Sequence, residues 1–451
     1  MSWLQLADVA AMTQGELIGE DTVINGVSID SRKVQKDDLF IAIKGDRFDA
    51  HDFVKDLPGK VAGTLVQHKV ACDVPQVVVD DTKAALGRLA KSWRQQFTRP
   101  VIGLTGSNGK TTVKEMISAI FSQQHNVLAT LGNFNNDIGM PLTLLRLRHE
   151  HDVAVIEMGA NHFAEIAYLT DIAKPDVAIV NNAGPAHLEG FGDIAGVARA
   201  KGEIFQGLRE GGTAIINADD EYADYWMSLA GQHKVIRFAL QNTAEVQGEY
   251  LGNGTLEITT PNDQQQVQLQ LPGKHNAMNA LAATAVAVAL GADLLTVKAG
   301  LESLAPVAGR LAMKPGLQGS TLIDDTYNAN PGSANAAINV LAEAAGQRLF
   351  VLGDMGELGE DTSALHADIG LKARKAGIQQ MYCLGQNSAK ACEQFGQPEN
   401  AYQDKDALIA QLKDQLKNDM TILVKGSRSA KMEQVVEALT ANSQQGRSEP
   451  C

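Results

Sequence analysis

The stretch "GLTGSNGKTTVKEMI", residues 103–117, lies between an apolar run and an amphipathic segment. A strand, a glycine-rich turn and a helix in this order form the phosphate-binding loop of many nucleotide-binding sheets. Gly106 and Gly109 let backbone N–H groups converge on a phosphate, Lys110 supplies charge, and the Thr111 hydroxyl can hold Mg²⁺. The loop is shorter than the usual motif, and a glycine turn that only caps a helix is the alternative. The correct flanks on both sides favour nucleotide binding.

The composition is that of an ordinary globular protein. The chain has 451 residues, 44% of them hydrophobic and 20% charged, which is enough for two to four domains. Its net charge of −14 argues against a nucleic-acid partner. The four cysteines are too sparse for a disulfide scaffold, the N-terminus does not resemble a signal peptide, and no apolar run reaches the roughly 18 residues of a membrane span. We therefore expect a soluble, cytoplasmic protein. We also expect a monomer.

Apolar runs of strand length alternate with helical segments from about residue 98, which predicts a parallel sheet covered on both faces. Alternating apolar and polar residues over 255–271 predict a small antiparallel appendage. The strand–helix rhythm restarts after "APVAGR". We therefore predict an α/β protein of three domains: a small mixed α/β domain at 1–85, a central parallel-sheet domain that carries the nucleotide-binding loop at 86–310, and a Rossmann-like domain at 311–451.

Two side chains follow neighbouring apolar strands of the predicted central sheet. Glu157 ends the strand in "VIEMGANH", and His187 lies just beyond the strand in "IVNNAGPAHLEGFG". Ligands bind outside the carboxyl ends of strands in such sheets, so both are candidates for a metal site beside the loop. The alternatives are a glutamate that ends its strand in solvent and a structural or surface histidine.

The order of the motifs resembles that of the Mur ligases over essentially the whole chain. The motifs are "TGSNGKTT", "GNFNNDIG", "EMGANH", "AHLEGFG", "AKGEIF", "LPGKHNAMNA", "AGR", "DDTYNANP" and "KGSRS". The stretch "DDTYNANP" differs from the D-x-x-H-N-P motif of folylpolyglutamate synthases. The stretches "LGDMGELG" and "GDRFDAHDF" resemble the members that add D-alanyl-D-alanine to UDP-N-acetylmuramoyl-tripeptide. The resemblance implies an ATP- and Mg²⁺-dependent, ADP-forming ligase of peptidoglycan synthesis that works through an acyl phosphate.

The resemblance also implies roles for individual residues. Thr111 and Glu157 would hold the Mg²⁺ on the nucleotide, His187 would hold a second metal, and a carbamylated Lys201 would support that metal. These four residues with Lys110 are the predicted catalytic and metal-binding set. The residues implied to contact the nucleotide are Gly106, Ser107, Asn108, Gly109, Lys110, Thr111, Thr112, His275, Asn276, Asn279, Arg310 and Asp324.

Substrate contacts are implied in all three predicted domains. In the first domain, the uridine diphosphate part would contact Ser31, Arg32 and Arg47. In the central domain, Asn135 and Asn136 would lie near nucleotide and substrate. In the third domain, the residues that would contact the incoming dipeptide are Asn328, Asn330, Lys425, Ser427 and Arg428. Each could instead be an ordinary polar residue in a loop.

Two other functions stay open. The chain could be another acid–amine ligase, either the tripeptide-forming member of the family or a folylpolyglutamate synthase. It could also be a switch that binds a nucleotide without ligating anything. The joint presence of Glu157, His187 and Lys201 disfavours the switch, because a silent relative need not keep them. The third residue of the tripeptide is left undetermined.

Overall fold

The computed structural model describes residues 4–45, 48–271, 273–305 and 307–441. In these ranges the strands form three main sheets, one after the other along the chain, and a short pair. The predicted α/β class and three-part architecture are confirmed. No helix within these ranges combines the length and the apolar character that crossing a membrane requires.

The first sheet has the order β2-β7-β6-β5-β4, with β4 to β7 parallel and β2 antiparallel to β7. The apolar runs "LFIAI", "AGTLVQ" and "PQVVVD" predict three strands here, and the structure has strands at all three. The elements are β1 Leu4–Gln5, α1 Leu6–Thr13, β2 Glu16–Ile18, β3 Val23–Ile24, β4 Gly26–Ser28, β5 Asp38–Ile41, a 3-10 helix Ala50–Asp56, β6 Gly63–Val66, β7 Gln76–Val78 and α2 Thr82–Gln96.

Helix α2 joins the first sheet to the second. Its N-terminus is capped by Asp81, whose carboxylate accepts the N–H of Ala84 at 2.8 Å. Its buried residues recur at helical spacing and pack in one core with residues of both sheets. This continuous core fixes the first sheet against the second.

The elements of the central part follow in chain order. They are β8 Val101–Thr105, α3 Lys110–Phe121, β9 Val127–Ala129, α4 Gly139–Leu144, β10 Val153–Glu157, α5 Glu165–Ala173, β11 Val177–Val180, α6 Leu188–Phe191, α7 Ile194–Gly202, a 3-10 helix Glu203–Gly207, β12 Thr213–Asn217, α8 Ala223–Ala230, β13 Lys234–Ala239, β14 Val246–Gly252, β15 Thr255–Thr259, β16 Gln264–Gln268, α9 Lys274–Ala289 and α10 Leu294–Ser303.

The central sheet has the order β16-β15-β14-β13-β12-β11-β8-β10-β9. It is parallel from β9 to β14, as predicted. The predicted antiparallel strands are present as β15 and β16, and they extend the edge of this sheet, because β14 pairs with both β13 and β15. β8 lies between β10 and β11, so the ends of these three strands meet at one edge.

Helices cover both faces of the central sheet. Along β10, Ala154 and Ile156 pack in one core while Val153 and Val155 pack in the other, as the alternation of a strand requires. The alanine-rich α9 is buried along most of its length, and small side chains let it lie close to the sheet and to α3. The sheet is therefore packed on both faces, which supports the strand ends where the glycine loop and Glu157 lie.

The third sheet has the order β17-β18-β22-β19-β20-β21 and is parallel except for β17. The apolar runs in "TLIDDTYN", "RLFVLGDMG", "QMYCLG" and "TILVKGSRS" predict four strands after "APVAGR", and the structure has strands at all four. The elements are β17 Ala312–Pro315, a 3-10 helix Leu317–Gly319, β18 Thr321–Asp325, α11 Pro331–Glu343, β19 Gln347–Gly353, a 3-10 helix Gly359–Asp361, α12 Thr362–Lys375, β20 Gln380–Leu384, α13 Ala389–Phe395, a 3-10 helix Pro398–Asn400, β21 Ala401–Tyr402, α14 Lys405–Gln415, β22 Met420–Lys425, a 3-10 helix Arg428–Ala430 and α15 Glu433–Leu439.

Candidate active site

A cleft of about 1640 Å³ lies where the strand ends of the central sheet face the third sheet. It is lined by most of the site residues predicted from the sequence. Those that line it are Ser107, Asn108, Gly109, Lys110, Thr111, Thr112, Asn135, Asn136, Glu157, His187, His275, Asn276, Asn279, Arg310, Asn328, Asn330, Lys425 and Arg428. The candidates that do not line it are Ser31, Arg32, Gly106, Lys201, Asp324 and Ser427. Arg47 lies outside the described residues.

The glycine loop has the backbone that its sequence requires. Gly106 has φ +153° and Gly109 has φ +79°, both conformations that L side chains rarely adopt. Gly109 also caps the N-terminus of α3, so the free N–H groups of the first helical turn open into the cleft. The ammonium of Lys110 donates to the carbonyl of Gly106 at 2.7 Å, and burial lowers its pKa. These features suit an anionic ligand.

Two asparagines that the sequence analysis missed brace this loop. Asn182 accepts the N–H of Asn108 with its Oδ1 at 2.8 Å and the N–H of Ser107 with its carbonyl at 3.0 Å. The amide of Asn181 donates to the carbonyl of Asn108 at 3.0 Å and to Oδ1 of Asn279 at 2.9 Å. The signal for them was the polar pair directly after the buried strand β11.

Glu157, at the end of β10, accepts a hydrogen bond from the Thr111 hydroxyl of the loop. The side chain of Glu157 is 2% exposed; it accepts the Thr111 hydroxyl at 3.1 Å and the amide of Asn135 at 2.8 Å. A hydroxyl and a carboxylate side by side are the hard oxygen donors that Mg²⁺ prefers. Within the described ranges, no group of three or more His, Cys, Asp or Glu residues could form a complete metal site. The pair therefore fits a Mg²⁺ that takes its other ligands from phosphates and water.

Residues associated with the third sheet reach the glycine loop directly. Arg310 donates from Nη2 to the hydroxyl of Thr111 at 3.2 Å, and its guanidinium lies 4.1 Å from the ring centroid of Tyr327. The amide of Asn330, the N-cap of α11, donates to Oδ1 of Asn108 at 2.8 Å. These contacts place the loop, Glu157 and the third sheet around one cavity.

A buried ion pair forms the opposite wall of the cleft. Lys425, at the end of β22, donates to Asp325 at 2.5 Å and to the carbonyl of Asn328 at 2.9 Å. Asp325 lines the cleft, whereas Asp324 turns away and pairs with Lys314 at 2.7 Å. Adjacent residues of a strand point to opposite faces, so Asp325 faces the cleft and the predicted nucleotide contact Asp324 does not.

Comparison with known proteins decides the family. Three family models match this chain: the Mur ligase family catalytic domain over residues 23–94, the Mur ligase middle domain over 104–287, and the Mur ligase glutamate ligase domain over 309–428. The chain belongs to the Mur ligase family. Membership confirms the resemblance seen in the motifs and makes the chain an enzyme of that family.

Full-length relatives support the assignment. A UDP-N-acetylmuramoyl-tripeptide--D-alanyl-D-alanine ligase of Escherichia coli is 47% identical, with 97% of this chain and 98% of that protein covered. The protein of that name in Bacillus subtilis is 36% identical, with 96% and 97% covered. A crystal structure of MurF from Acinetobacter baumannii is similar with a TM-score of 0.91, 35% identity and 97% and 99% coverage. MurF from Thermotoga maritima, in complex with ADP, has a TM-score of 0.82, 28% identity and 92% and 96% coverage.

In this Mur ligase, His187 lies beyond the end of β11 and contacts the third sheet. Its Nδ1 lies 2.6 Å from Oε2 of Glu357, in the loop after β19. The hydrogen bond from His187 lowers the pKa of Glu357. The sequence analysis gave Glu357 no role.

Lys201 is fully buried in the Mur ligase fold. An unmodified lysine on this helix would be expected to reach solvent, but the side chain is 0% exposed. Its Nζ lies 3.4 Å from the carbonyl of Ala160 and 5.3 Å from the ring centroid of Phe191. Burial lowers the pKa of Lys201 to about 7, and the charge of Lys110 acts in the same direction. A buried amine of this kind is partly neutral at physiological pH and therefore nucleophilic.

The remaining candidates lie outside the cleft or at its rim. Arg32 forms a two-pronged hydrogen bond with Asp30 at 2.9 Å on the surface of the first domain. Ser427 donates to the carbonyl of Asp354 at 2.6 Å and thereby supports the loop after β19. Arg428 lines the rim of the cleft with an exposed side chain.

Proposed function

We propose that this Mur ligase joins D-alanyl-D-alanine to UDP-N-acetylmuramoyl-tripeptide at the expense of ATP, with ADP and phosphate as products. The observation that carries the proposal is a chain of two hydrogen bonds at the glycine loop, in which the Thr111 hydroxyl accepts from Arg310 and donates to Glu157. It combines a cation, a hydroxyl and a carboxylate from both sides of the cleft. The names of the full-length relatives specify the substrates.

The first chemical step would activate the substrate carboxylate. An oxygen of the carboxylate attacks the γ-phosphorus of ATP, the bond to the bridging oxygen breaks, and ADP leaves an acyl phosphate behind. Carboxylate and triphosphate are both anions and repel each other. Lys110, Arg310 and the N–H groups at the start of α3 offset this repulsion, and they are fixed before the substrates arrive.

The second step would form the amide bond. The free amine of D-alanyl-D-alanine attacks the acyl carbon, the C–O bond to the phosphate breaks, and inorganic phosphate leaves with the electron pair while the nitrogen loses a proton to solvent. Asn328, Asn330, Lys425 and Arg428 line the side of the cleft that belongs to the third sheet. Among them Arg428 is an exposed cation, suited to the carboxylate of the dipeptide.

Bound Mg²⁺ would supply further charge neutralisation at the phosphates. Thr111 and Glu157 would hold the nucleotide-bound ion, and His187 with a carbamylated Lys201 would hold a second one. The buried position of Lys201 and its lowered pKa support carbamylation, because CO₂ reacts with the neutral amine. The product is an anionic oxygen donor, which suits a hard cation.

The domain roles are part of the proposal. Residues 1–85 would bind the uridine diphosphate part through Ser31, Arg32 and Arg47, residues 86–310 would bind ATP, and residues 311–451 would bind the dipeptide. Asn276, Asn279 and His275 would face the adenine, and burial lowers the pKa of His275 to about 4, so it stays neutral. We propose a cytoplasmic monomer.

Mass spectrometry of the product tests the function. The pure chain is incubated with ATP, Mg²⁺, D-alanyl-D-alanine and UDP-N-acetylmuramoyl-tripeptide carrying either diaminopimelate or lysine. The expected product is the tripeptide plus the dipeptide less one water, and the better substrate identifies the third residue. Release of ADP that needs no dipeptide would indicate a switch instead. A product only with glutamate or diaminopimelate as the amine would indicate one of the other ligases.

A further inference from the structure

One pair of side chains connects the loop after a strand of the central sheet to the loop after a strand of the third sheet. His187 follows β11 and Glu357 follows β19, and their side chains meet with Nδ1 of the histidine 2.6 Å from Oε2 of the glutamate. The ring of His187 lines the cleft, and Glu357 lies outside it. The proposed function assigns a metal to His187 but gives no role to Glu357.

Both partners have a backbone conformation that favours glycine. His187 has φ +54° and Glu357 has φ +62°. A non-glycine residue there costs free energy and persists where the surrounding structure enforces it, often at functional sites. Glycines flank the position in the sequence, at Gly356 and Gly359, yet residue 357 carries a carboxylate. Positive φ at both partners of one contact is therefore consistent with a functional role for the pair.

The loop that presents Glu357 is well anchored. The N–H of Met355 donates to Nε2 of the buried His366 at 2.9 Å, and the carbonyl of Asp354 accepts the hydroxyl of Ser427 at 2.6 Å. Met355 and Leu358 are both buried in the core of the third sheet. The side chain of Glu357 is 60% exposed, yet its backbone is fixed on both sides. Its contact with His187 is therefore set by how the two sheets are docked.

We infer that Glu357 is a positioning residue for His187. Its carboxylate accepts the Nδ1–H, fixes the tautomer and the ring orientation, and leaves Nε2 to face the cleft. A histidine that binds a metal generally donates its other N–H to a carboxylate or carbonyl in this way. The carboxylate comes from the third domain. The ring of His187 is therefore held in the orientation for metal binding only when that domain is docked against the central domain. This inference rests on the proposed function, in which His187 holds a metal.

Three variants test the assignment. Glu357→Ala removes the acceptor, Glu357→Gln keeps a neutral acceptor, and Glu360→Gln is the control, an exposed acid three residues away in the 3-10 helix that follows the loop. Mn²⁺ is titrated into each protein with a non-hydrolysable ATP analogue and UDP-N-acetylmuramoyl-tripeptide, and free Mn²⁺ is followed by electron paramagnetic resonance. In parallel, the Mg²⁺ concentration that gives half the maximal rate is measured.

Glu357→Ala is expected to weaken one Mn²⁺ equivalent about tenfold or more and to raise the Mg²⁺ requirement. Glu357→Gln should recover much of this loss, and Glu360→Gln should match the wild type. Unchanged Mn²⁺ binding in Glu357→Ala, or a wild type with a single Mn²⁺ equivalent, overturns the assignment. A rate above that of the wild type would make the contact inhibitory and overturn it too. If the wild type forms no product, the proposed function fails; if it does and the variants match it, only the role of Glu357 fails.

Discussion

Asn330 of the third domain donates its side-chain amide to Oδ1 of Asn108 in the glycine loop, at 2.8 Å. The same residue caps α11, because its Oδ1 accepts the N–H of Ser333 at 2.8 Å. One side chain thus sets the start of a helix and links that helix to the loop that we propose binds ATP. The two tasks use different atoms and can be separated by mutation.

We predict that Asn330→Ser and Asn330→Ala lose activity to a similar extent but differ in stability. Serine keeps a cap for α11 and loses the amide that reaches Asn108; alanine loses both. Alanine should therefore unfold more easily by about 1 kcal/mol, a typical value of a helix cap. Thermal unfolding and the KM for ATP measure the two effects. Full activity in Asn330→Ser would show that the contact with Asn108 is dispensable.

The glycine loop and the strand end should separate binding from turnover. Lys110→Ala removes the cation of the loop and is expected to weaken nucleotide binding and abolish activity. Glu157→Ala leaves that cation in place, so nucleotide binding should be kept better while turnover falls by two orders of magnitude or so, since one lost electrostatic contact in an active site commonly costs that much. Calorimetric titration with an ATP analogue and steady-state rates give the two quantities. Wild-type turnover in Glu157→Ala would remove it from the metal site.

Lys201 should act through its carbamate. Lys201→Ala is expected to lose most activity, and acetate should restore part of it by placing a carboxylate in the vacated space. High-resolution electron density should show atoms beyond Nζ. Mass spectrometry under ¹³CO₂ with chemical trapping gives a second measurement. A bare ammonium together with full activity of Lys201→Ala would make it an ordinary structural lysine.

The uncarbamylated Lys201 should also leave a signature in the pH dependence of stability. The pKa of this lysine is about 7 in the folded chain, against an ordinary value of 10.5. Between these values the unfolded chain binds more protons, so the free energy of unfolding should rise with pH over this window. In CO₂-free buffer, Lys201→Met should be more stable than the wild type at pH 7, and the difference should shrink towards pH 10. A constant difference would contradict the lowered pKa.

The sequence predicted the parts of the site that depend on local order. The loop with Gly106, Lys110 and Thr111 follows from a strand, a turn and a helix in succession, and Glu157 follows from the rule that parallel strands end at one edge. The structure brings Thr111 and Glu157 to 3.1 Å of each other, which the rule alone does not give.

The sequence could not predict the features of the site that depend on which face of a strand a residue occupies or on contacts between distant segments. In "DDTYNANP" the two aspartates are equivalent as letters, and only the pleat of β18 decides that Asp325 faces the cleft. The contact of His187 with Glu357 joins loops that are 170 positions apart in the chain. No periodicity of either loop contains that information.

The crowding around Gly109 has a consequence for antibacterial compounds and resistance. A Cβ at this position would lie 2.4 Å from Oδ1 of Asn279 and 2.6 Å from Nδ2 of Asn181, and the φ of +79° disfavours any L side chain. A mutation here would have to overcome a steric clash and backbone strain at once. An inhibitor that makes its main contacts with the N–H groups of this turn should therefore seldom lose affinity through a substitution at Gly109.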